Sequence, residues 1–110
     1  MINIDIDKKL SDKVNVHIAS IEAKVKTKES DKELLELINK KCEEIKETIK
    51  FDEVIKLKNI LSSRNAYKKL GKDPSRYRLS SESLVKRVVK GNDLYIVNNI
   101  VDINNLISLH

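Results

Sequence analysis

Ser30-Asp31-Lys32-Glu33-Leu34-Leu35-Glu36-Leu37-Ile38-Asn39-Lys40-Lys41-Cys42-Glu43-Glu44-Ile45-Lys46-Glu47-Thr48-Ile49 is the stretch on which the reading of the fold turns. Leu34, Leu35, Ile38, Cys42, Ile45 and Ile49 recur three and four residues apart and therefore share one face of an α-helix. Ahead of them, Ser30 and Glu33 fit a capping box, in which each side chain satisfies the other residue's exposed backbone N–H. The spacing predicts an amphipathic helix over 30–50.

Upstream the rhythm changes. Ile2, Ile4 and Ile6 alternate with polar residues, as do Val14, Val16 and Ile18, and Ile21, Ala23 and Val25 continue in the opposite phase. A period of two is the mark of a half-buried strand, so residues 1–28 are expected to be strands, with a bulge near Ala19 and Ser20. Downstream, Val54, Ile55, Ile60, Leu61, Ala66 and Leu70 predict a second helix over 52–70, stopped by Gly71 with Pro74 beyond it. Residues 72–79 read as a basic loop. Ser80 or Ser81 is expected to cap a short third helix carrying Leu84, Val85, Val88 and Val89, which Gly91 ends. Leu94, Tyr95, Ile96 and Val97 read as a strand, and 100–109 as a final helical turn or two. Strands mixed with three or four helices make the expected fold class α+β, a mixed α/β unit in a single domain.

The composition narrows the function classes. With 40% apolar and 35% charged residues, the chain is too apolar for a disordered polymer and too charged for a membrane protein. The start, Met1-Ile2-Asn3-Ile4-Asp5-Ile6-Asp7, lacks the basic and apolar segments of a signal peptide, so a cytoplasmic location is expected. The net charge of +5 is unevenly spread. Lys and acidic residues cancel up to Lys50, whereas between Arg64 and Lys90 nine cations face only Asp73 and Glu82. Such a segment points to a polyanionic partner, nucleic acid before others, or else to an ordinary solvated face.

No self-contained catalytic constellation emerges. Gly71 and Gly91 each follow a helix, where helix termination explains them. His17 stands on the polar side of its expected strand, and His110 is terminal. Ser62, Ser63, Ser80, Ser81 and Ser83 have no partner at a family-specific spacing and suit caps and turns. Cys42, the only cysteine, lies on the apolar stripe and reads as inert core. Neither a metal site nor a cofactor is implied. Two features stand out instead. In Arg64 to Arg78, cations suited to phosphates are interleaved with Tyr67 and Tyr77, which can stack on bases. In Asn98-Asn99-Ile100-Val101-Asp102-Ile103-Asn104-Asn105, the amides suit either fixed turns or a small polar ligand.

Taken together, Arg64 to Arg78, Ser80-Ser81-Glu82-Ser83-Leu84-Val85-Lys86-Arg87 and Asn98 to Leu109 resemble the tRNA-binding editing domain of the phenylalanyl-tRNA synthetase β chain. Free-standing proteins of that B3/B4 domain family are similar. There a helix bearing Ser, Leu and Arg is followed by Gly, then by Asn-Asn-hydrophobic-Val-Asp-hydrophobic-Thr-Asn. Leu84, Arg87, Gly91, Asn98, Asn99, Val101, Asp102 and Asn105 stand at the corresponding places. The signature region runs over 52–109.

The resemblance implies an α+β fold of which this chain is the N-terminal portion, later strands completing a barrel-like sheet. It implies tRNA or aminoacyl-tRNA as partner, held by Arg64, Lys68, Lys69, Lys72, Arg76, Arg78, Lys86 and Arg87. It further implies a substrate pocket in which Asn105 matches a family asparagine and Asn104 replaces the family threonine, with Asp102 and Asn99 beside them. Asp102 is read as ordering the turn, and no catalytic residue is assigned. The family hydrolyses the ester between a wrong amino acid and tRNA, and a complete domain is expected to do so in trans. A pocket histidine and later strands of the family have no counterpart here, so this chain alone is expected to be inactive. The alternatives are a non-catalytic RNA- or tRNA-binding module, or an interaction fragment. The apolar end formed by Ile103, Leu106, Ile107 and Leu109 would then be completed by a homo-oligomer or a complementing chain. No membrane association is expected.

Overall fold

In the computed structural model, which describes residues 2–110, the long amphipathic helix is where the periodicity puts it, as α2, Lys32–Thr48. Ile38 and Ile45 are buried along its inner face, with Leu34, Cys42 and Ile49 packed beside them. The cap differs from the expected box. Asp31, not Ser30, is the N-cap, and its carboxylate accepts from the Leu34 N–H at 2.9 Å. The Ser30 hydroxyl donates instead to Asp102, across 72 residues of chain.

The helix predicted over 52–70 is divided. A 3-10 segment, Phe51–Lys56, and α3, Lys58–Lys69, meet at Leu57, whose ψ of 133° is extended. Packing explains the break. In a straight helix at 3.6 residues per turn, Val54 and Ile60 would point about 120° apart. The kink lets both enter one core, where Val54 is fully buried and Ile60 nearly so. Gly71 ends α3 as expected. It adopts φ +77°, and the Gly71 and Lys72 N–H groups donate to the Lys68 and Tyr67 carbonyls in a Schellman motif.

The third helix, α4, runs Ser80–Val89 and packs on α2, the 3-10 segment and α5. Val85 and Val88 fill its inner face as predicted. Neither Ser80 nor Ser81 caps it. The N-cap is Leu79, which makes no side-chain cap bond. Gly91, at φ +88°, closes α4 with a second Schellman motif, the Asn92 N–H reaching the Arg87 carbonyl. The last helix, α5, Asn99–Ser108, is longer than the one or two turns expected and is capped by the Asn98 side chain.

The expected α+β class is overturned, because the described residues form helices and contain no strand. Between Ile2 and Lys28 the only regular element is a single turn, α1, Lys8–Ser11, capped by Asp7. Met1, the first residue of the expected strand region, lies outside the described residues. Val14 is buried, but Ile2, Ile4, Ile18, Ile21 and Val25 are exposed, so the period-2 pattern has no core to face. Leu94 to Val97 belongs to no helix or strand, and only Leu94 of the four is buried. A strand needs a neighbour to bond its backbone. Here side chains take that part. The Val97 N–H donates to Asp102 Oδ1 at 3.0 Å, and the Asn99 amide grips the backbone at Lys26 and Lys28.

Candidate functional site

Five of the nine cations between Arg64 and Lys90 converge on one cleft of about 450 Å³. Arg64 comes from α3, Arg78 from the loop, and Lys86, Arg87 and Lys90 from one side and the end of α4, with Phe51, Ser75, Ser83 and Asn92 between them. The two Schellman turns build this arrangement locally. Each glycine reverses the chain sharply, so loop and helix ends meet on one side of the molecule.

Glu82 lies at the base of the cleft and is buried. Its carboxylate lies 2.7 Å from Arg64 Nη1 and 3.2 Å from Lys86 Nζ. Burial alone pushes the Glu82 carboxyl up, but the bonds from Arg64 and Lys86 outweigh it and hold the group below its ordinary value. Glu82 is therefore an anion that positions two of the cations and cancels one charge. Arg87 is held differently. Its Nε donates to the Asp93 carbonyl at 2.6 Å and its guanidinium sits 4.2 Å from the Tyr95 ring centre. Lys86 and Lys90 both lie over Phe51, at 5.7 and 5.1 Å. Arg78 and Lys90 have no acidic partner among the described residues. Five cations against one carboxylate leave the cleft electropositive.

Beside the cleft, and sharing Arg78 with it, is a hollow of about 510 Å³ lined by Tyr67, Leu70, Lys72 and Tyr77. Lys72 Nζ stands 4.8 Å from the Tyr77 ring centre. The loop that carries Tyr77 is set by Asp73, whose carboxylate accepts from the Ser75 hydroxyl and N–H at 2.7 and 3.0 Å. Those two bonds, the hydroxyl first, lower the Asp73 pKa.

Of the cations expected to hold tRNA, the cleft thus gathers Arg64, Arg78, Lys86 and Arg87, and the hollow adds Lys72. Lys68 and Arg76 are exposed outside both, and Lys69 faces a separate hollow with Val14 and Asn15. Phe51 and Lys90 were missing from the expected set. Phe51 is the only phenylalanine of the chain, and its exposure beside two lysines is visible only in three dimensions.

The asparagine cluster lies elsewhere, on α5. Asn99 bonds the backbone at Lys26 and Lys28, and Asp102, buried, accepts from the Ser30 hydroxyl and the Val97 N–H. Asn104 is exposed and Asn105 half-buried. None of the four lines the basic cleft. Cys42 is half-buried, and burial pushes its thiol up, so the reactive thiolate is disfavoured. Comparison with protein-family models, with curated proteins and with solved structures finds no match to this chain. The resemblance to the synthetase editing domain rests on the residues quoted for it. Among the described residues no helix is long and apolar enough to cross a membrane.

Proposed function

We propose that the chain is an RNA-binding module, with tRNA as its leading target, which takes phosphates into the cleft between α3, the loop at Arg78 and α4. The observation that supports this most is the convergence of Arg64, Arg78, Lys86, Arg87 and Lys90 on one cleft, with only Glu82 to offset them. Phosphate contacts of this kind position a nucleic acid without reading its sequence. Tyr67 and Tyr77, in the adjoining hollow, offer aromatic faces to an unpaired base, as RNA recognition commonly uses. Such a module acts in the cytoplasm, with the translation machinery.

Hydrolysis of mischarged tRNA is not part of the proposal. It would draw on Asn99, Asp102, Asn104 and Asn105, and the first two already spend their side chains on the chain's own backbone and on Ser30. Fluorescence anisotropy with labelled tRNA across a salt series tests the binding. Affinity is expected to fall steeply, because each phosphate neutralised releases counterions at a log–log slope of about −0.7 to −0.9. Lys90→Ala should flatten that slope by about one unit. Binding that ignores salt, or no binding, would end the proposal.

A further inference from the structure

We infer, building on the RNA-binding reading above, that the basic face takes RNA as a single strand, with unpaired bases on its aromatic rings and phosphates on the cations between them. The chain has four aromatic residues, Phe51, Tyr67, Tyr77 and Tyr95. None belongs to the buried core, which among the described residues holds only Ile, Val and Leu. Phenylalanine is normally among the most buried of residues. Here Val54, three places along, is fully buried while Phe51 stays 45% exposed, and Tyr77 and Tyr95 are 47% and 74% exposed.

The four rings are also gathered together. Phe51 lines the basic cleft, and Tyr67 and Tyr77 line the hollow that shares Arg78 with it. Tyr95 adjoins the cleft through Arg87, a cleft residue whose guanidinium lies over its ring. Arg78 thus links hollow to cleft, and Arg87 links cleft to Tyr95. None of the exposed aliphatic side chains lines the cleft or the hollow. What is segregated here is therefore aromatic surface, not apolar surface in general.

Rings alternating with cations match the alternation of base and phosphate along one strand. Lys72 stands over Tyr77, and Lys86 and Lys90 over Phe51, so a base stacked on either ring has a cation beside it for its phosphate. Every base has a π-face, so such stacking tolerates any sequence. A duplex cannot use these rings. Its bases are already stacked on one another, and it would offer the cleft only its backbone.

Fluorescence anisotropy with a non-self-complementary RNA of about 12 nucleotides, alone and annealed to its complement, tests the strand preference. The single strand should bind at least about tenfold tighter, since each stacked base contributes that order of affinity. Tyr77→Ala and Phe51→Ala should each weaken the single strand by about five- to a hundredfold. Duplex binding and helical circular dichroism should stay unchanged in both, whereas Lys90→Ala should weaken single strand and duplex alike. The chain has no tryptophan, so Phe51→Trp places a lone reporter in the cleft. Its emission should be quenched by the single strand and not by the duplex. Equal, salt-sensitive affinity for the two forms overturns the single-strand inference and leaves the phosphate cleft standing. Ring substitutions that weaken both forms equally, or neither, overturn it as well. Failure to bind either form removes the RNA-binding reading itself, and this inference with it.

Discussion

Glu82 is where the stability of the fold and the positive charge of the proposed phosphate cleft are expected to pull against each other. It is a buried carboxylate held by Arg64 and Lys86, whose side chains are themselves largely covered. Removing one partner of such a group strands the others. Glu82→Gln should therefore cost about 3 kcal/mol in urea unfolding. The same substitution releases two cations into the cleft, so tRNA should bind more tightly and with a steeper salt slope. A variant that is less stable and also a weaker binder would place Glu82 in direct contact with the ligand instead. The pH dependence has a definite sign. The folded pKa of Glu82 lies below its ordinary value of 4.5. Its contribution is therefore fully present above that value and is lost as pH falls through the lower folded value. Wild type and Glu82→Gln should differ most near neutrality and converge in acid, which urea titrations at several pH values would reveal.

At the scale of elements, the helix ends decide where the functional groups stand. Gly71 and Gly91 both have positive φ, and a Cβ added at either meets nothing within 4 Å. The cost of Gly91→Ala is then backbone strain alone, about 1 kcal/mol. A larger loss in the unfolding midpoint would mean that the turn makes contacts beyond its own backbone. The helix stops at both glycines were readable in advance, because only glycine takes a left-handed C-terminal position without penalty. The split at Leu57 was not readable, because it answers to the separate demands of Val54 and Ile60 for one core. The cap at Ser30 was misplaced for a related reason. A local box competed with a carboxylate 72 residues away and lost.

For the whole molecule, stability is unevenly spread. The helix α4 contacts α2, the 3-10 segment and α5, while the arm over 2–29 has one short helix and is tethered to the helices through Asn99. Hydrogen exchange should protect the Val85 and Val88 amides most and leave most of the arm near free-peptide rates. Protection along 15–25 equal to that of α4 would contradict this arrangement. By itself the sequence determined α2, the stops at Gly71 and Gly91, the apolar face of α4 and the concentration of cations between Arg64 and Lys90. These depend on spacing and local backbone preference, which travel with the chain. Only the tertiary structure decided that the alternating segments are not strands, since a strand exists through a neighbour and none lies beside them among the described residues. It also decided which cations share the cleft with Phe51 and that Asn99 and Asp102 hold the arm and the turn. Those are relations between residues far apart in sequence, set by how the helices pack.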